Sequence, residues 1–280
     1  MDIIRSVKEM QQWSLARRRE GRTIGIVPTM GFLHEGHLSL IDTARANGAD
    51  CVVVTIFVNP IQFAPNEDFD SYPRDFEHDR ALCEEKKVDA IFAPGVNDMY
   101  PAPVTCYVSE RKLSKGLCAK TRPTHFDGVT TVVAKLFNAV LPDLAVFGQK
   151  DAQQARVLRR MIRDLNFPIR MVISPIIREA DGLAKSSRNK YLTPEERSNA
   201  LVLSRSLQEA KNAIANGEKD LVKIANEIKE KITAAGGRVD YVETVDADEL
   251  EAVEVKSEAP IMIALAAYFG TTRLIDNMVI

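Results

Sequence analysis

The chain has 280 residues, of which 45% are hydrophobic and 27% are charged, and its formal net charge is −2. This composition is typical of a globular protein with room for one large domain or two smaller ones. The charges give no basic excess that would argue for nucleic acid, so we expect no nucleic-acid partner, and a local basic patch stays the open alternative. Anionic small molecules stay open, because they need only a local cluster of positive groups.

The cysteines and the apolar runs bear on the compartment of the protein. Cys51 and Cys83 lie in apolar patterns and no CxxC spacing occurs, so we interpret the cysteines as thiols of a reducing compartment. Residues 1–13 lack the apolar region of a signal peptide. No apolar run approaches the length of a membrane span. We therefore expect a cytoplasmic protein without a membrane partner.

Short apolar strands alternate with helical segments through the first part of the chain. The predicted strands are residues 23–27, 51–57, 88–93, 104–109, 143–148 and 169–174. The predicted helices begin with a capping box at Ser6 and Glu9 and continue near 37–47, 74–87, 128–140 and 151–165. Near-continuous Val and Ile strands between amphipathic helices predict an α/β fold with a doubly wound parallel sheet, covered on both faces. Ligands of such folds bind at the carboxyl ends of the strands.

The pattern changes after residue 176. A polar stretch, PIIREADGLAKSSRNKYL, has no long apolar period and indicates a loop or hinge. Thr193, Pro194 and Glu196 then start a helix with an N-cap, a first-turn proline and a capping-box glutamate. Two helical stripes and three strand-like runs, VDYVETV, IMIALAAYF and LIDNMVI, complete the chain. We predict a domain of residues 1–176 followed by a smaller α+β domain of residues 177–280.

The stretch PTMGFLHEGHLSL, residues 28–40, joins the first buried strand to a helix. Gly31 and Gly36 allow the backbone to approach a ligand, and the helix directs its N-terminal amides to the same place. His34 and His37 lie three apart and can face one way, where imidazoles donate hydrogen bonds to phosphate oxygens. The alternatives are half of a metal site, or an ordinary surface or core histidine pair.

Two further stretches offer cations for phosphate. In GQKDAQQ, residues 148–154, Lys150 follows a buried strand and begins a helix; the alternative is a solvated lysine at a helix start. KSSRN, residues 185–189, supplies two cations and two hydroxyls that suit a mobile segment closing over a polyphosphate. The alternative for this second stretch is a plain polar linker.

Two loops carry groups for a small polar substrate. In FVNPIQF, residues 57–63, Asn59 and Gln62 are uncharged amides at a strand end, although Asn-Pro also favours a simple turn. In RPTHFDGV, Arg122 and His125 precede a helix and offer further cationic groups.

Together these stretches resemble the pantoate–β-alanine ligase family, also called pantothenate synthetases. The resemblance covers nearly the whole chain and rests on PTMGFLHEGH, FVNPIQF, SYPRDFEHD, RPTHFDGV, FGQKDAQQ, DGLAKSSRN, YLTPEER and LIDN. The H-x-G-H element at residues 34–37 would by itself indicate only the wider nucleotidyltransferase superfamily, which includes class I aminoacyl-tRNA synthetases.

The resemblance implies a Rossmann-like first domain that also forms a homodimer. It implies two steps: the carboxylate of (R)-pantoate attacks the α-phosphate of ATP, which is accompanied by Mg²⁺, and β-alanine then attacks the pantoyl adenylate. The products are pantothenate, AMP and pyrophosphate. Such an intermediate must be shielded from water. We therefore expect residues 176–190 and the smaller domain to act as a lid.

The resemblance also assigns the site residues. Those implied for catalysis are His34, His37 as the designated proton donor, and Lys150. Those implied for ATP are Met30, Gly31, His34, Gly36, His37, Gly148, Gln149, Lys150, Asp151, Ile177, Lys185, Ser186, Ser187 and Arg188. Those implied for pantoate and β-alanine are Gln62, Gln154 and Asn59. Asp79 is the implied metal residue.

Two other functions remain alternatives at this point. An adenylyltransferase that transfers AMP to a phosphate would explain the histidines and KSSR, but it explains FVNPIQF and Gln154 less well. A nucleotide-binding or sensing module without turnover is the other, and ATP consumption that depends on a second substrate would exclude it.

Overall fold

The computed structural model describes residues 1–65 and 67–280. In the first part of the chain the order is β1 (Asp2–Ile4), α1 (Val7–Arg19), β2 (Ile24–Thr29), α2 (Glu35–Ala46), β3 (Cys51–Ile56), α3 (Phe76–Glu85), β4 (Ala90–Phe92), α4 (Val96–Met99), α5 (His125–Val140), β5 (Leu144–Gly148), α6 (Ala152–Asp164) and β6 (Arg170–Ser174). The second part contains α7 (Pro194–Ala200), α8 (Val202–Ala215), α9 (Leu221–Ala234), β7 (Arg238–Asp246), β8 (Ile261–Phe269) and β9 (Thr272–Val279).

Strands β1 to β6 form one parallel sheet in the order β1-β4-β3-β2-β5-β6. Ile24 and Ile26 of β2 belong to a core with α1, α5 and α6, whereas Val27 belongs to a core with α2 and α3. The sheet is therefore covered on both faces, as predicted. The chain order reverses between β2 and β5, so a crevice opens where the carboxyl ends of these two strands diverge.

Two details of the first sheet differ from the prediction. In the described part of the chain, residues 104–109 form no strand. The backbone of Val108 instead bonds the side chains of α5, donating to Thr131 Oγ1 at 2.9 Å and accepting from Thr130 Oγ1 at 2.6 Å. The prediction also missed the three-residue edge strand β1.

The second part of the chain has its own three-stranded antiparallel sheet, in the order β7-β8-β9. Ile261, Ile263 and Leu265 of β8 pack with α8 and α9, whereas the alternate residues Met262 and Ala264 pack against Leu117 and Ala152 of the first part. The small α+β unit is confirmed. The opposite face of its sheet therefore packs against α6 and the loop before α5 in the first part of the chain. The division at residue 176 and the lid role stay predictions.

Among the described residues, no helix is both long and apolar enough to cross a membrane.

Candidate active site

The loop between β2 and α2 is held by hydrogen bonds to Asp79 of α3. Its carboxylate is buried and accepts the backbone N–H of Phe32 at 2.8 Å and of Leu33 at 2.6 Å. Burial raises the pKa of Asp79, and these two hydrogen bonds oppose that rise. Gly31 has φ +83°, and a Cβ there would lie 2.9 Å from Asp79 Oδ2. The tight loop therefore requires glycine at 31, and it delivers His34 to the start of α2.

His34 and His37 lie together at the N-terminus of α2. Nδ1 of His34 accepts the N–H of Gly36 at 3.1 Å, and Nδ1 of His37 accepts the N–H of His34 at 3.3 Å. The ring centroids are 4.1 Å apart. Because each Nδ1 accepts from a backbone amide, each neutral ring carries its proton on Nε2. Both histidines therefore present an N–H donor that is fixed by the local backbone.

The two rings are neutral at pH 7. Loss of hydration, followed by the charges of Lys150 and Lys185, lowers the pKa of His34 to about 4. Loss of hydration, followed by His34 and Lys150, lowers the pKa of His37 well below its ordinary value. Positive charge at the site therefore comes from the lysines and arginine and not from the imidazoles.

Lys150, Lys185 and Arg188 supply this charge, and each is paired with a carboxylate. Lys150 follows β5 on a short turn, and its Nζ lies 3.9 Å from Asp151 Oδ2. Nζ of Lys185 lies 2.8 Å from Glu35 Oε2 of α2, which lowers the pKa of Glu35. Arg188 makes a bidentate pair with Asp68 at 2.9 and 3.1 Å. The last two pairs tie residues 185–188 to the first part of the chain.

Asn59 and Gln62 lie on the turn that follows β3. Asn59 is buried, and its Nδ2 donates to Gln62 Oε1 and to the carbonyl oxygen of Gly128, both at 3.0 Å. Its Oδ1 accepts from the hydroxyl of Tyr100 at 2.8 Å. Nε2 of Gln62 points to Met30 Sδ at 2.9 Å. Asn59 thus orients the amide of Gln62, which is the more accessible of the two groups.

These groups surround two adjoining cavities of about 220 and 870 Å³. Among the described residues, all of the predicted site residues line the smaller cavity except Gly31, Gln149 and Asp79. The larger cavity lies between the second sheet and the loops and α6 of the first part of the chain. It shares Lys150, Asp151, Gln154, Ser186 and Arg188 with the smaller cavity. The fold therefore places predicted site residues from five separate segments of the chain around one cavity.

The three exceptions support the site from outside. Gly31 and Asp79 shape the loop before α2, and the side chain of Gln149 donates to Asn277 at 2.7 Å. Both carboxylate oxygens of Asp79 are engaged by backbone amides. No group of three His, Cys, Asp or Glu suited to a metal occurs in the described part of the chain. A metal role for Asp79 stays an untested prediction, and its geometry favours loop support.

The sequence did not predict a chain of contacts that runs from the loop after Gln62 to α5. Glu67 makes a bidentate pair with Arg122, with Nη2 at 2.7 Å, and Nη1 of Arg122 lies 3.3 Å from His125 Nε2. Nδ1 of His125 donates to the carbonyl oxygen of Gln62 at 3.0 Å. Burial, followed by Arg122, lowers the pKa of His125 to about 4. The RPTHFDGV motif pointed to Arg122 and His125 in this series of contacts, but nothing in the polar loop pointed to Glu67.

A family model described as pantoate-beta-alanine ligase matches residues 2–279. The chain belongs to this ligase family. A pantothenate synthetase of Thermotoga neapolitana is 55% identical over 281 residues, which cover 100% of both chains. The chain is thus an enzyme of the class that its motifs predicted.

Solved structures of this ligase family have the same fold. A crystal structure of pantothenate synthetase from Thermus thermophilus matches with a TM-score of 0.91 at 43% identity, covering 99% of each chain. A Francisella tularensis pantoate-beta-alanine ligase, described as complexed with beta-gamma ATP and beta-alanine, matches with a TM-score of 0.81 at 32% identity, covering 99% of this chain and 97% of that one. The fold prediction is confirmed across both sheets.

Proposed function

We propose that the protein condenses (R)-pantoate with β-alanine at the expense of ATP, through a pantoyl adenylate, and releases AMP and pyrophosphate. The observation that carries the proposal is the meeting of His34, His37 and Lys150 with the amides of Gln62 and Gln154 around one cavity. ATP and β-alanine are also the ligands named for the related Francisella enzyme. Groups for phosphate chemistry thus adjoin uncharged amides that suit the hydroxyl and carboxylate groups of a small acid.

In the first step a carboxylate oxygen of pantoate bonds to the α-phosphorus, and the bond from that phosphorus to the bridging oxygen breaks. Negative charge grows on the equatorial and leaving oxygens, and catalysis consists mainly of stabilising it. The Nε2–H groups of His34 and His37 are donors for these oxygens, and Lys150 supplies positive charge. Because both rings are neutral, we assign them hydrogen-bond donation and not the transfer of a proton.

Pyrophosphate is the leaving group of this step. We assign its charge to Lys150 and to the segment containing Lys185, Ser186, Ser187 and Arg188, which borders the same cavity. The nucleotide would be bordered by the backbone of Ile177, by Met30 and by the glycines at 36 and 148.

In the second step the amine of β-alanine bonds to the acyl carbon, and the acyl carbon–oxygen bond to AMP breaks. The amine attacks as its free base, and the proton that its nitrogen loses on forming the amide leaves with the phosphate of AMP. The larger cavity meets the site at Gln154 and Lys150 and offers the amine a route of entry. Residues 176–190 and the second domain would exclude water meanwhile, since a free acyl adenylate hydrolyses.

Mg²⁺ fits this site only as a companion of the nucleotide. Among the described residues, Asp151 is the acidic side chain that lines the smaller cavity. Mg²⁺ commonly binds through one or two carboxylates and the substrate phosphates, and keeps several waters. When bound, the ion would neutralise phosphate charge, with Asp151 as its protein neighbour.

We also propose a homodimer formed through the first domain. Residues 104–109 are not paired in a sheet of the described chain, and Tyr107 is 59% exposed, so this segment has room for a second chain. Sedimentation equilibrium would give the mass of two chains, and the mass of one chain at micromolar concentration would contradict the proposal. A cytoplasmic location is consistent with the four cysteines, which are free thiols.

The function is tested by incubating the protein with ATP, Mg²⁺ and pantoate, with and without β-alanine. We expect pantoate-dependent pyrophosphate release, and AMP with an amide product only when β-alanine is added. About one equivalent of pyrophosphate per site without β-alanine would indicate a retained adenylate. Absence of pantoate-dependent pyrophosphate would overturn the proposal, and transfer of AMP to a phosphate acceptor would support the adenylyltransferase alternative.

A further inference from the structure

Asp276 and Asn277, in the last strand β9, are buried polar residues that the proposed function does not use. Their exposed fractions are 3% and 4%. They belong to the LIDN stretch of the second domain, whereas the catalytic groups lie on loops of the first domain and on the connecting segment. Buried polar groups are expensive unless they are paired, so their partners indicate their role.

The three hydrogen bonds of the Asn277 side chain all go to the turn that carries Lys150. Its Nδ2 donates to the carbonyl oxygens of Gln149 and Lys150, each at 3.0 Å. Its Oδ1 accepts from Gln149 Nε2 at 2.7 Å. Arg156 of α6 completes the arrangement by donating to Gln149 Oε1 at 2.8 Å. One amide of the second domain therefore holds the backbone carbonyl groups on both sides of the Lys150 Cα.

The neighbouring Asp276 is directed to the connecting segment. Its carboxylate accepts from Nη1 of Arg178 at 2.7 Å and from Nη2 at 3.0 Å. Arg178 follows Ile177, whose carbonyl oxygen accepts the N–H of Lys185 at 2.9 Å. Arg178 also bridges Ala184 in an antiparallel pair. The pair therefore anchors the base of the hairpin-like turn from which residues 185–188 emerge.

Two consecutive residues of one strand thus hold the two cationic elements of the phosphate site. We propose that Asp276 and Asn277 are positioning residues, which set the Lys150 turn and the Lys185–Arg188 segment at a fixed separation for binding the phosphates of ATP. This inference rests on the proposed function. It gives the second domain a part in adenylation itself, beyond covering the cleft.

The test compares the two half-reactions in Asn277→Asp. The carboxylate keeps the shape of the amide but donates no hydrogen bond, and it faces the two carbonyl oxygens with negative charge. A displacement of about 1 Å at a reacting group costs on the order of 10²-fold in rate. We expect pantoate-dependent exchange of pyrophosphate into ATP to fall by about this factor. Capture of supplied pantoyl adenylate by β-alanine should stay within about threefold of the wild-type rate.

A matched control, a second test variant and a substitute variant separate loss of positioning from general damage to the fold. Asn212→Asp, on the exposed face of α8, makes the same chemical change away from the site and should leave both rates unchanged. Asp276→Asn loses the charge that holds Arg178 and should raise the KM for ATP more than it lowers kcat. If Asn277→Asp does not fold, Asn277→Ser is measured in its place, because serine donates one hydrogen bond and leaves no added charge.

The outcomes distinguish this inference from the proposed function. Wild-type exchange rates in a folded Asn277 variant would overturn the positioning role and leave the ligase function intact. Equal losses in both half-reactions would assign Asn277 a purely structural role and would also overturn the inference. Absence of pantoate-dependent exchange in the wild-type protein would instead refute the proposed function.

Discussion

Replacing Gly128 by alanine should displace the turn that carries Gln62 without unfolding the protein. Gly128 lies near the start of α5, directly against the turn that carries Gln62. An added Cβ would lie 2.5 Å from Gln62 Cα, 2.6 Å from the carbonyl oxygen of Ile61 and 2.7 Å from Gln62 N. All three are backbone atoms, so no change of rotamer relieves the contact.

The size of the displacement follows from these distances. Ordinary van der Waals contact begins at 3.4 Å, so the turn must retreat by 3.4 − 2.5 Å, or about 0.9 Å. A misplacement of about 1 Å can cost 10²-fold in rate. Overpacking costs about 1–3 kcal/mol, and the helix preference of alanine over glycine returns about 1 kcal/mol. We therefore expect a large kinetic effect and a net loss of stability of at most about 2 kcal/mol.

The assay is kcat/KM for pantoate, measured at saturating ATP and β-alanine, together with the melting temperature. Gly128→Ala should lower kcat/KM by about 10- to 100-fold. Gly116→Ala is the matched control, because its φ is −93° and its added Cβ meets no described atom within 4 Å. A folded Gly128→Ala enzyme with the wild-type kcat/KM would refute the reasoning from the close contact.

Three more predictions concern charge and support at the same site. Lys150→Ala should lower turnover by about 10²- to 10³-fold, whereas Lys211→Ala, exposed on α8, should not; a near-normal rate would contradict the role of Lys150. Folding lowers the pKa values of His34 and His125 from 6.5 to about 4, so as the pH falls below 6.5 the unfolded state takes up protons that the folded state does not. The contribution of these two neutral histidines to the free energy of unfolding is therefore full above pH 6.5 and is lost as the pH falls toward 4; a melting temperature that is constant across this range would contradict it. Asp79→Ala should lower the free energy of unfolding by about 2–4 kcal/mol in urea denaturation, because two buried amides lose their acceptor, and a loss below about 0.5 kcal/mol would count against this role.

The first sheet was largely predictable because its strands are apolar on both faces and end in turn residues. The pattern failed at residues 104–109, where Val104 and Val108 do pack against the core. An apolar alternation reports which side chains are buried, but it does not report where the backbone hydrogen bonds go. There the threonines of α5 satisfy Val108 in place of a neighbouring strand.

The site was predictable where its residues follow the strands directly. His34, Gln62 and Lys150 each come within a few residues of a buried strand, and the topology brings such ends together. The supporting partners were not predictable, because they meet only after folding: Glu67 and Arg122 are 55 residues apart, and Gln149 and Asn277 are 128 apart. Local patterns hold no information about such pairs.

The pairing of every cation at the site with a carboxylate has a consequence for how a nucleotide arrives. Lys185 is held by Glu35 at 2.8 Å and Arg188 by Asp68 at 2.9 Å, so in the proposed function the phosphates of ATP would meet cations that are already paired. Binding would then exchange one anion for another, with the nucleotide replacing Asp68 as the partner of Arg188. The protein's own acidic groups thus compete with the nucleotide, which favours multiply charged phosphate chains over singly charged anions.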